Sequence, residues 1–179
     1  MDAGDFNLLK QQITDWCDEE GVNHYEKESD RDHFLLFINY PEKSKLKTLV
    51  YSPKDKNDVL MVGSSLTLNS DKFMEAYEKL DKKKLEEFKY SFYSIFLLAQ
   101  PSVYLKFDGE KRPQRFDVIH KIWLDEKPSK KTFMESLETV NRCREAARYY
   151  CLKYFHIYSD DVARESMELD RQATQDYIR

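Results

Sequence analysis

Glycine is scarce in this chain. Among 179 residues only Gly4, Gly21, Gly63 and Gly109 occur. They are scattered, so no glycine-rich loop of the kind that cradles a phosphate can be built. Cysteine is nearly as rare: Cys17, Cys143 and Cys151 show no metal-binding spacing. An odd count of this kind fits reduced thiols in a cytoplasmic setting. No apolar run approaches the roughly 20 residues of a membrane span. The opening MDAGDFNLL lacks the basic-then-apolar order of a secretion signal. Positive charge is not in excess either, and the formal net charge of −4 argues against nucleic acid as the main partner. No cofactor and no metal are expected, and the protein reads as cytoplasmic, with no membrane partner.

What is present is a clear hairpin. Leu46 to Leu68 reads LKTLVYSPKDKNDVLMVGSSLTL, an apolar run, a polar turn and a second apolar run. Residues two apart on a strand share a face. Leu60, Val62, Ser64, Leu66 and Leu68 therefore line one side, and Val59, Met61 and Gly63 the other. Both sides are apolar near Val59 to Val62, which predicts cover on both. Pro53, Asp55 and Asn57 suit the turn, and a link this short joins antiparallel neighbours.

The remaining elements follow in order. Phe6, Leu9, Ile13, Trp16 and Cys17 recur at three and four residues, which predicts a helix over 5–20, capped by Asp5 and ended by Gly21. Strands are predicted over 22–28 and 33–40, then the hairpin. A short helix carries Phe73, Met74, Tyr77 and Leu80, and a second is predicted from Asp81 to Gln100. The stretch Phe92 to Ala99 (FYSIFLLA) is apolar almost all round, so it must be covered on more than one side. A second subunit is the simplest cover, and Phe92, Tyr93, Phe96 and Leu97 are the candidate interface. Strands follow over 102–107 and 114–124. A helix over 129–158, marked by Phe133, Leu137, Val140, Ala147, Cys151 and Tyr154, would be about 45 Å long if unbroken. It is therefore expected to bend, to break near Asn141 to Arg144, or to project. The plan is one α+β domain over 1–158, an antiparallel sheet of five or six strands with helices packed on it. Residues 159–179 read as a polar tail or weak helix.

Few residues offer chemistry. His120 lies in an otherwise apolar strand face and is the candidate for a pocket; a core histidine satisfied by a neighbour is the commoner arrangement. His24, His33 and Cys17 have no specific metal spacing. The carboxylates at Asp18 to Glu20, at Glu86 and Glu87, and at Asp160 and Asp161 belong to solvated faces. Lys82 to Lys84, and Lys130 with Lys131, sit near helix starts, where they oppose the macrodipole. The phrase VGSSL at Val62 to Leu66 is no nucleophile elbow, since no glycine follows the serines and no helix begins there; Gly63 reads as a bulge or a close backbone approach.

The order helix, three or four strands, helix, two strands, long helix resembles the type III secretion chaperones. The phrases FLLFINYP (Phe34 to Pro41) and VYSPKDKNDVLMVGS (Val50 to Ser64) are similar to an uncharacterised family of short archaeal proteins, a domain of unknown function. That family brings no catalytic motif, so no residue inherits a role. The chaperone resemblance implies a homodimer and a surface for an extended protein segment. Three functional expectations result: a protein-binding or chaperone-like homodimer, favoured over an enzyme; a ligand-binding or catalytic domain around His120; and a structural subunit of a larger complex.

Overall fold

The spacing of Phe6, Leu9, Ile13 and Cys17 winds the first segment into α1 (Ala3–Glu19), and all four side chains are buried. Asp5 falls in the first turn of that helix instead of capping it, a place where negative charge still suits the macrodipole. Gly21 adopts φ +66° just past the end, as a left-handed terminator should. The computed structural model describes residues 3–42, 47–68, 71–107, 113–125 and 127–156. Over these the chain continues through β1 (His24–Glu26), β2 (Asp32–Ile38), β3 (Thr48–Pro53), β4 (Val59–Thr67), α2 (Asp71–Glu78), α3 (Lys82–Ser94), β5 (Ser102–Phe107), β6 (Pro113–Trp123) and α4 (Lys130–Tyr154). The tail expected over 159–179 lies outside the described residues.

The strands form one six-stranded sheet in the order β1-β2-β3-β4-β6-β5. The predicted α+β architecture, with five or six strands expected, is the one observed. In the hairpin, Val50 stands opposite Val62 and Tyr51 opposite Met61; across β2, Leu36 stands opposite Val50 and Leu35 opposite Tyr51. Rows on opposite faces are thereby both buried, Leu36, Val50 and Val62 on one and Leu35, Tyr51 and Met61 on the other. Gly63 pairs in register with Leu49, so it marks no bulge.

Two compact units share these elements, one made of residues up to Ser64 with Ile119–Asn141, the other of Ser65–Val118 with the chain from Arg142. In the first, Phe6 of α1 stacks on His33 of β2 at 3.8 Å, and Trp16 meets Phe133 of α4 at 5.8 Å. Lys130, unfavourable at the start of α4, reaches Glu19 at 2.9 Å and Glu20 at 2.6 Å, equally unfavourable past the end of α1. Each offsets the other's conflict with its helix, which raises the Lys130 pKa. In the second unit, Phe88 and Phe92 of α3 pack on Tyr150 of α4, and Phe155 lies against Phe73 and Phe88. Ser129 caps α4 through the Thr132 amide at 3.1 Å. Of the three outcomes expected for this helix, a break near Asn141 to Arg144 is not the one observed: α4 runs 25 residues unbroken, with Val140, Cys143, Arg144 and Ala147 all buried.

Two outcomes follow from this packing. Phe88 is fully buried among four rings, so Phe88→Ala should lower unfolding stability by about 3–5 kcal/mol in a denaturant titration. Burial also pushes the Cys17 and Cys151 thiols up to about 12 and raises that of Cys143. All three should ignore a thiol-specific chromophoric reagent at pH 8 in the native protein and react once it is unfolded.

Candidate functional site

The surface with most to offer is built at the end of α3. Asp81 starts this helix, its Oδ1 accepting the Lys84 amide hydrogen bond at 2.8 Å. Phe88 and Phe92 then point inward one turn apart, and Tyr150 and Tyr154 of α4 donate hydroxyl hydrogen bonds to the Phe88 and Lys84 carbonyls. The helix stops at Ser94, six residues before the predicted Gln100. Beyond it the bonding tightens to three-residue turns, Phe96 N–H to Tyr93 O and Ala99 N–H to Phe96 O, both at 3.0 Å. The tightened turns bury Phe96 and turn its neighbours outward. Leu97 is 76 % exposed, Leu98 is 100 % exposed, and Ile95 and Tyr93 are also exposed.

The expected interface set is therefore divided. Phe92 and Phe96 belong to the core, whereas Tyr93 and Leu97 are on the surface. Ile95 and Leu98, absent from that set, join them. Nearby, the Tyr93 hydroxyl accepts the Leu105 amide hydrogen bond at 3.2 Å, which ties this turn to β5. Tyr104 and Phe107 of β5 are exposed, with Lys106 over the first ring and Lys89 over the second. A separate open groove of about 650 Å³ runs along α3 beside Lys82, Lys83, Glu86, Glu87 and Tyr90.

His120 has a different setting. Two hydrogen bonds, Leu68 N–H to Gln114 O and Leu124 N–H to Asp58 O, fix one offset between β4 and β6. That offset sets Val62 opposite His120, so the imidazole ends an apolar row. The side chain is half-buried, burial lowers its pKa, and its buried Nδ1 finds no hydrogen-bond partner among the described residues. A catalytic imidazole needs a group that fixes its tautomer, and among the described residues none bonds this Nδ1. The other histidines are apart from each other: His24 bonds Asp18 at 3.0 Å and His33 bonds Asn57 at 3.0 Å. Among the described residues no cluster of three metal-ligating side chains exists.

The same offset sets Ser65 opposite Asp117, a contact the sequence did not signal. Asp117 is buried. It accepts the Ser65 hydroxyl at 2.7 Å and lies 3.2 Å from Arg115 Nε. A carboxylate that accepts a hydroxyl from the neighbouring strand and lies beside a guanidinium is a strap between two strands.

The family described as "Uncharacterized conserved protein (DUF2299)" matches residues 9–147. The chain belongs to that family. Among solved structures, an uncharacterized protein from Methanothermobacter thermautotrophicus is similar at 21% identity over 82% of this chain and 99% of that one, with a TM-score of 0.72. This likeness shows the fold. YbjN from E. coli, described as a putative transcription regulator, aligns at 9% identity over 78% of this chain and 91% of its own, with a TM-score of 0.49. No curated protein matches significantly. The DUF2299 match carries no residue roles, and among the described residues no helix is long and apolar enough to cross a membrane.

Two measurements probe these polar groups. Ser65→Ala should cost about 1–3 kcal/mol in unfolding free energy, because Asp117 stays buried with a hydrogen bond fewer. The folded pKa of His120 lies below its ordinary 6.5. The unfolded chain thus binds more protons as pH falls through 6.5, and stability is lost there. His120→Leu should show a smaller drop in denaturation midpoint between pH 7.5 and pH 5.5 than the wild type.

Proposed function

We propose that this protein is a protein-binding, chaperone-like module that acts as a homodimer. The observation that carries the reading is the exposed apolar turn Ile95–Leu98, with Leu97 and Leu98 almost wholly in water. Burying a leucine of this kind contributes about 1.5–3 kcal/mol, so leaving two adjacent ones exposed calls for a partner that covers them. Adjacent exposed aliphatic side chains of this kind favour a protein partner over a small ligand. Tyr93, Tyr104 and Phe107 extend it with amphipathic rings of the type enriched at interfaces. The resemblance to secretion chaperones supports the same reading, with an extended protein segment as the further client.

The test is Leu97→Asp with Leu98→Asp, compared with the wild type by native mass spectrometry and thermal melting. The wild type should appear at twice the 21.5 kDa chain mass, and the double variant at the single mass with an unchanged melting temperature, since neither side chain is in the core. A wild type at the single mass contradicts the dimer. Additional protein mass on the wild type, lost in the variant, favours a subunit of a larger complex. Polar substitutions at Phe92 or Phe96 would not serve, because they would unfold the core that those rings form.

A further inference from the structure

We infer that two copies of this chain pair through the outer edge of β5, strand against strand, in an antiparallel register centred on Leu105. β5 is the last strand of the sheet, with β6 as its single neighbour in the strand order. The Leu105 N–H does not serve that neighbour; it donates to the Tyr93 hydroxyl. Backbone groups of alternate residues point the same way along a strand. Val103, Leu105 and Phe107 therefore present theirs to the outer edge. The Tyr93 oxygen occupies the position that the carbonyl of an incoming strand would take. Sheet edges are commonly guarded against stray pairing, and among the described residues the Tyr93 hydroxyl takes that place at Leu105.

The side chains favour a second copy as the occupant. With Leu105 facing the partner's Leu105 in a mutually hydrogen-bonded pair, Val103 faces the partner's Phe107 and Tyr104 faces the partner's Lys106. The second of these is a cation against a ring, a contact Lys106 already makes with its own Tyr104 at 5.6 Å. Apolar thus meets apolar and cation meets aromatic in a single self-complementary register, as a two-fold interface requires. The backbone parity is compatible with that centre, since Leu105 has its N–H on the outer edge. Tyr93 immediately precedes the apolar turn, so the paired edges bring the Ile95–Leu98 segments to the margin of the interface. The inference rests on the dimer reading above and adds its geometry.

In this register residues 104 and 106 form a non-hydrogen-bonded pair, whose Cα atoms lie about 4.5 Å apart, within disulfide reach. Tyr104→Cys and Lys106→Cys variants are oxidised mildly, each alone and mixed in equal amounts. The chain's own cysteines are buried and do not compete. The mixture should cross-link to twice the 21.5 kDa chain mass several-fold more than either variant alone. A particle at twice the chain mass without preferential cross-linking in the mixture overturns the β5 register and leaves the dimer standing, as it would if an unrelated extended peptide were the strand's occupant. Wild-type protein at the single mass overturns both. Tyr93→Phe removes the competing acceptor and should shift the balance towards the pair; an unchanged balance overturns its role as the guard.

Discussion

Phe92 touches five rings at once: Phe88, Tyr93, Phe96, Phe116 and Tyr150. The position of everything at the working surface depends on that packing. Phe88, a turn earlier, adds Tyr154 and Phe155 to the same cluster. These rings fix how α3 lies on α4 and on β6, and the Tyr150 and Tyr154 hydroxyls hold the α3 backbone at two further points. Rings this large leave few alternative ways to fill the space, since interiors are packed as densely as organic crystals.

That constraint explains why apolar residues end up in water. Phe88, Phe92 and Phe96 claim the inward direction at every fourth position. A chain cannot also turn Ile95, Leu97 and Leu98 inward without unseating them. The helix gives way at Ser94, where the Ser94 hydroxyl donates to the Ser91 carbonyl and competes for the helical bonding. Tighter turns follow, and Pro101 begins the approach to β5. The exposed leucines are thus a consequence of how the core is satisfied. Tyr93 belongs to both sides of this arrangement, with its ring against Phe92 and its hydroxyl on the β5 edge.

Much of this architecture was legible in the residues. Period-two alternation located the hairpin and β2, and both-sided apolarity near Val59 to Val62 foretold burial on both faces. Asp81, Ser129 and Gly21 served as helix signals where expected. Other features were not legible, for physical reasons. A dense apolar run such as FYSIFLLA satisfies helical periodicity on several faces, so the end of α3 could not be read from it. The Ser65–Asp117 contact depends on the β4–β6 offset, which no local pattern encodes. Lys130 looked misplaced until Glu19 and Glu20 were found beside it. The interface set named from periodicity held two core rings and two surface residues, because periodicity ranks apolarity and cannot say which apolar residues the fold leaves over.

The central claim is that the surface from Tyr93 to Phe107 exists to be covered by protein. Amide hydrogen exchange followed as a function of protein concentration tests it most directly. The account predicts that protection of residues 95–98, and of the outward amides of Val103, Leu105 and Phe107, rises with concentration while the core strands β2 to β4 stay unchanged. Protection across residues 93–107 that is the same at every concentration would contradict it.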